Sequence, residues 1–235
     1  MSKSKYYLSA IHREGYSVIL VAAIAAFLLS MIHAGFGWFA LVFVVLLCGF
    51  FRNPSRVVPI ADNLVVSPAD GVVTSISVTK LPEQIAVEGV EEVIKISIFL
   101  SVFDVHVNRV PCTGKVECVK YIAGKFINAS LDKSSDMNER CYVLLRSKAG
   151  QVVAFSQIAG FIARRIVNNL SEQQDVIIGS SFGIIKFGSR MDVYLPSDSV
   201  VQVAEGQRMV AGETVLSDLQ KQHSSTGDLA YEVKE

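Results

Sequence analysis

No aspartate, glutamate, lysine or arginine occurs between residues 15 and 51. A stretch that long without charge excludes an ordinary soluble start to the chain. Net charge is also missing, since 22 basic residues balance 22 acidic ones. No basic stripe marks a nucleic-acid surface, so no nucleic-acid partner is expected. The four cysteines (Cys48, Cys112, Cys118 and Cys141) form no CxxC pair, and Cys48 lies inside the apolar run. At most three are left for the folded part, which reads as free thiols in a reducing compartment. His12, His33, His106 and His223 are scattered and match no zinc pattern, so no metal is expected. No tandem repeat or low-complexity segment is present.

What is there divides in two. Mean hydropathy is +0.41 and 51% of residues are hydrophobic, but the excess is confined to residues 15–51. As one helix that run would be about 55 Å long, against a bilayer core of about 30 Å. Two short helices, 17–33 and 37–51, joined at Ala34-Gly35-Phe36-Gly37, fit better. Lys3, Lys5 and Arg13 precede the run and Arg52 and Arg56 follow it, while the glycine turn carries no charge. The excess of cations at both ends predicts a hairpin anchor in the cell membrane with the following domain on the cytoplasmic side. A cleaved signal peptide would have a shorter apolar stretch and a small-residue cleavage site.

From residue 52 the chain reads as mostly β within an α+β class: an antiparallel sandwich or barrel-like domain over 52–216, then a polar tail, 217–235. β-branched runs at 72–78, 93–100, 105–110, 116–121, 142–145 and 152–158 are separated by Gly71, Pro82, Gly89, Gly114 and Gly150. Further strands are expected at 183–187, 191–195, 200–204 and 213–216. The segment 161–175, FIARRIVNNLSEQQD, is the one expected short helix or long turn.

Three short motifs carry possible chemistry: Ser67-Pro68-Ala69-Asp70-Gly71, the 103–109 segment FDVHVNR, and Phe187-Gly188-Ser189-Arg190. Taken singly, each has a plain structural reading. Asp-Gly is a common turn, a histidine in a strand is usually a packed one, and Gly-Ser pairs arise by chance. Two such pairs exist, Gly179-Ser180 and Gly188-Ser189, and chemistry alone does not choose between them.

Together and in order, the motifs resemble the phosphatidylserine decarboxylase family in its short, bacterial-type form. The resemblance covers roughly residues 50–216: FFRNP (50–54), SPADG (67–71), FLSVFDVHVNRVPCTG (99–114), QIAG (157–160) followed by Arg164-Arg165, and GIIKFGSRMDVYLP (183–196). It implies a proenzyme that cuts itself between Gly188 and Ser189. The Ser189 hydroxyl attacks the Gly188 carbonyl and the amide becomes an ester. Elimination frees the Gly188 carboxylate and leaves dehydroalanine, which exchanges ammonia for water and becomes an N-terminal pyruvoyl group. Glycine leaves its carbonyl unobstructed, and serine supplies both the nucleophile and the pyruvoyl carbons.

The products would be a β chain, 1–188, and a 47-residue α chain, 189–235, held together as a heterodimer; a higher oligomer stays open. The pyruvoyl group would form a Schiff base with phosphatidylserine in the membrane. Carbon dioxide would leave, giving phosphatidylethanolamine with no metal or diffusible cofactor. The resemblance assigns Asp70 as a charge partner in self-cleavage and His106 as the acid that returns a proton to the substrate. Where some longer members carry a second histidine, this chain has Arg109. Arg52, Arg56 and Arg109 read either as lipid-phosphate contacts or as interfacial surface charges. Two other readings compete. VAEGQRMVAGETVL (203–216) with SPADGVV (67–73) resembles the half-motifs of lipoyl-like adaptor domains, although no modifiable lysine sits at a hairpin tip. A serine hydrolase would need a G-x-S-x-G elbow, and neither serine has one.

Overall fold

The computed structural model describes residues 9–124, 138–160, 165–186, 189–219 and 230–234. Its contacts divide the chain into two units, Met1–Ser55 and Arg56–Glu235. In the first, helix Arg13–Ile32 opens on His12, whose Nδ1 accepts the Glu14 N–H, and Glu14 suits the positive end of the helix dipole. Its 20 residues make it long and apolar enough to cross a membrane. The second helix, Ala34–Phe50, has 17.

The break between the helices is one residue and not the glycine segment. His33 is extended (φ −158°, ψ 133°), and its Nδ1 accepts the Gly35 N–H at 3.0 Å, capping the second helix. Ala34–Gly37 therefore lies inside that helix. A Cβ on Gly37 would stand 2.5 Å from Ser30 Cβ, so the glycine lets the two helices close on each other. Leu20, Ile24, Phe27, Met31, Phe39 and Val42 face outward, an apolar surface that a water-soluble hairpin would bury. Ala10–Ile11 pairs with Arg52–Asn53 and closes the open end.

The second unit is mostly β, as expected. One antiparallel sheet runs in the order Asp175–Val176, Gly114–Ile122, Arg140–Ser147, Val152–Ala159, Ser189–Pro196, Val93–Leu100, Gly71–Thr79 and Arg208–Met209. Alternation along the strands sends Ile96, Ile98, Leu100, Val143, Leu145, Phe155, Met191 and Val193 into the main core. The opposite face carries Tyr142, Leu144, Ala154 and Tyr194 and is covered by Leu81 and Ile85. With both faces covered, strands such as VIKISIFL read as nearly continuous apolar runs.

Over the core face lies a three-stranded sheet, Ile166–Asn168, Ser181–Ile185 and Val107–Arg109. Phe182 from this sheet meets Phe155 from the first, ring centres 5.2 Å apart. A third sheet joins Val200–Val201, Val215–Asp218 and Leu64–Val66.

Two expectations change here. The 161–175 segment contains no helix among its described residues, and 161–164 lies outside them. Ile166–Asn168 is instead a strand paired with Gly183–Ile185, because tertiary pairing overrides a weak local helix preference. The tail is not simply polar chain: Ala230–Lys234 pairs with Arg56–Ile60, and residues 217–218 complete the Val215–Asp218 strand.

Candidate functional site

Ser189 opens a strand at the centre of the large sheet, with Leu100 and Ala159 as its register partners on either side. It is fully buried and shares the core face with Met191 and Val193. Its Oγ has no hydrogen-bond partner among the described residues. Leaving a buried hydroxyl unpaired costs about 1–3 kcal/mol; the hydroxyls of Ser97 and Ser199 share this state, but neither follows a glycine. Its neighbour Arg190 turns to the other face and pairs with buried Asp192, Nε to Oδ1 at 2.9 Å. Phe187 and Gly188 lie outside the described residues.

The second Gly-Ser pair is a turn. Gly179 has φ +77°, its N–H donates to Val110 O, and Ser180 O accepts the Val110 N–H. Ser180 itself is half-buried.

Asp70 reaches this region through the sheet. Val72 is the register partner of Phe99, which sets Gly71 beside Leu100 and hence two strands from Ser189, about 10 Å away. A Cβ on Gly71 would lie 2.2 Å from Phe99 O, so only glycine permits this pairing. The SPADG loop is held from two sides. Ser67 N–H donates to Thr214 O, Gly212 N–H to Ser67 O, and Arg109 N–H to Pro68 O. The two half-motifs at 67–73 and 203–216 are thus physically paired, with Arg208 opposite Val72.

The hydrogen bonds on the Asp70 carboxylate come from Arg56 Nη2, at 2.9 and 2.8 Å, and from Ala211 N–H at 2.8 Å. Arg109 is 1% exposed and gives Nη1 to Gly179 O at 2.8 Å. Burial, and then the neighbouring Arg56 charge, lower its pKa to about 10, against the opposing pull of Asp70 and Glu213. Arg56 and Arg109, read as lipid-phosphate contacts or surface charges, are instead members of a buried ion group. The guanidinium of Arg109 is taken up by a turn carbonyl and that of Arg56 by a carboxylate.

His106 is buried immediately before the Val107–Arg109 strand. Its Nδ1 lies 2.9 Å from Asp104 O. A carbonyl can only accept, so the proton sits on Nδ1 and Nε2 is the basic nitrogen. The His106 carbonyl accepts Ile185 N–H, which ties it to the chain that leads into Ser189.

Sequence reasoning missed a chain of buried amides beside this site. Gln157 Nε2 donates to Asn108 Oδ1 at 2.9 Å, and Asn168 Nδ2 donates to Gln157 Oε1 at 3.1 Å. The signal was a glutamine inside the apolar run VVAFSQIA. Asp104 was also passed over, although its carboxylate accepts from Ser101 and Arg208.

Comparison with known proteins decides the family. Residues 43–217 match the family described as phosphatidylserine decarboxylase. The chain belongs to that family. It is 46% identical over 224 residues to the phosphatidylserine decarboxylase proenzyme of Rickettsia bellii (strain OSU 85-389), covering 95% of this chain and 96% of that protein. It is 47% identical over 208 residues to the proenzyme of Rickettsia typhi, covering 88% and 90%. The Rickettsia akari proenzyme is 48% identical over the same length and shares. The paired 67–73 and 203–216 segments are therefore part of a decarboxylase-family fold, which leaves the adaptor reading without support.

Proposed function

We propose that this chain is a self-processing, membrane-anchored phosphatidylserine decarboxylase whose pyruvoyl group forms from Ser189. The observation that carries this reading is the buried Ser189 Oγ, without a hydrogen-bond partner among the described residues, at the head of a central strand in a chain of this family.

The Ser189 Oγ attacks the Gly188 carbonyl, the peptide C–N bond breaks, the hydroxyl proton passes to the freed nitrogen, and the carboxylate of Asp70 serves as the charge partner of that step. The pyruvoyl group supplies an electron sink for the pair released when the substrate carboxylate leaves as carbon dioxide. His106 returns a proton to the former α-carbon through Nε2. The α chain stays bound as a heterodimer with the β chain. Ser189–Pro196 lies between two β-chain strands, and Arg208–Met209, Val215–Asp218 and Ala230–Lys234 each pair with a β-chain strand as well. The cationic flanks of the helical hairpin keep this unit on the cytoplasmic side.

The test is intact mass of the purified protein beside Ser189→Ala. Two chains in the wild type, the smaller starting at residue 189 with a blocked pyruvoyl end, and one uncut chain in the variant support the reading. One uncut chain in both overturns it. Cleavage that persists in the variant moves the reacting serine to Ser180.

A further inference from the structure

Between Leu100, the register partner of Ser189, and buried His106 the chain makes one tight turn. Asp104 N–H donates to Ser101 O at 3.0 Å, and Asp104 Oδ2 accepts the Ser101 N–H and hydroxyl, each at 2.8 Å. Arg208 holds the other carboxylate oxygen. Asp104 is 2% exposed, so the turn is fixed from beneath by a buried, fully engaged carboxylate.

The tip of this turn does the reverse of what a water-facing turn does. Turn tips favour Gly, Asn, Asp, Ser and Pro. Here Val102 is 46% exposed and Phe103 is 74% exposed. A rigid turn that holds a phenylalanine outward lacks the freedom to fold it back.

Two basic residues, Lys186 and Arg165, stand at this end of the domain. The Ser181–Ile185 strand runs antiparallel to Val107–Arg109 and leaves the sheet at the end where the turn enters it. The next residue, Lys186, donates its N–H to the carbonyl of exposed Arg165 at 3.2 Å. Arg208 is also exposed here, but its charge is balanced by its ion pair with Asp104. Apolar tips with basic neighbours suit the interface of an anionic bilayer, where the tip enters the acyl boundary and the cations meet phosphates.

We propose that the 101–104 turn is a bilayer-inserting finger, with Phe103 and Val102 entering the leaflet beside Ser189, as a membrane contact additional to the N-terminal hairpin. It rests on the lipid-substrate reading above only for its purpose: it sets the mouth of the site on the surface that holds the substrate.

The chain has one tryptophan, Trp38. In a Trp38→Phe background, Phe103→Trp therefore reports on the tip alone. Full-length protein is reconstituted in phosphatidylcholine vesicles containing anionic phosphatidylglycerol, with or without brominated acyl chains. Blue-shifted emission, quenched by the brominated lipid and shielded from acrylamide, is expected. Emission typical of water, open to acrylamide and untouched by bromine, overturns the proposal. The same measurement on uncut Ser189→Ala protein scores insertion even if the decarboxylase reading fails. In the processed enzyme, Phe103→Ser is expected to slow turnover of long-chain phosphatidylserine in bilayers about tenfold, with a much smaller effect on a short-chain, monomeric substrate. Equal losses on both would assign Phe103 to the site interior and overturn the finger.

Discussion

Arg56 Nη2 bridges both carboxylate oxygens of Asp70, at 2.9 and 2.8 Å, with only 10% and 14% of the two side chains exposed. The aspartate assigned to self-cleavage is thus also the counter-ion of a buried arginine, close to Arg109. Removing one partner of a buried pair costs about 3–5 kcal/mol, because the other charge is left behind. Asp70→Asn is expected to lower the melting temperature and to block cleavage. The double variant Arg56→Met/Asp70→Asn is expected to recover much of the melting temperature while staying uncut. Recovery of cleavage in the double variant would reduce Asp70 to a structural counter-ion.

His106 is tested separately from processing. A general acid contributes about 10²–10⁴-fold. His106→Ala is expected to yield cut, pyruvoyl-bearing protein whose carbon dioxide release from phosphatidylserine falls by about a hundredfold or more. Normal turnover would remove His106 from the mechanism.

Gly71 sits where a side chain has no room: an added Cβ would stand 2.2 Å from Phe99 O and 2.9 Å from its carbonyl carbon. Gly71→Ala is expected to push the Gly71–Thr79 strand off Val93–Leu100, costing about 1–3 kcal/mol. Leu100 lies on that strand and faces Ser189, so cleavage should slow together with the loss of thermal stability. A time course of chain separation on a denaturing gel, beside a melting curve, checks both.

The thiols predict an alkaline limit. Burial pushes Cys112 up to about 12 from 9.0. Cys141 rises to about 11, again through burial, partly offset by its hydrogen bond from Asn168. The unfolded chain releases these protons near the ordinary value, while the folded chain retains them. The stability they contribute is therefore complete below the unfolded pKa and falls as pH rises toward the folded values. Melting temperature in detergent is expected to drop as pH rises from about 9 toward about 11 to 12, and Cys112→Ala should flatten that slope. An unchanged slope in the variant would contradict the assignment.

Much of the fold was legible because strand periodicity and turn residues are local properties. The runs at 93–100 and 152–158 became strands almost as read, since residues covered on both faces must be apolar whatever their neighbours. The hairpin was legible from missing charge, but its break was not. A glycine segment looks like a turn, and only the partner helix shows that Gly37 is needed for contact with Ser30. The strand Ala230–Lys234 was invisible because its partner lies far away in the chain, and Ile166–Asn168 because only its pairing with Gly183–Ile185 makes it a strand.

For the site, the residue types alone left Gly179-Ser180 and Gly188-Ser189 both open, and it was the resemblance of three short motifs, taken together and in order, that pointed to Ser189, Asp70 and His106. Burial of Arg109 and its bond to Gly179, the Arg56–Asp70 pair and the amide chain through Gln157 came only from tertiary structure. A charged or amide side chain carries no local sign of its partner. The sequence by itself determined an uncharged, apolar N-terminal segment, a β-rich second unit and the motifs of a family. The tertiary structure decided which Gly-Ser serine is buried without a partner among the described residues, which arginines are counter-ions, and that Phe103 points outward. Those outcomes depend on which strands become neighbours, a property of long-range pairing and burial that no local stretch of residues contains.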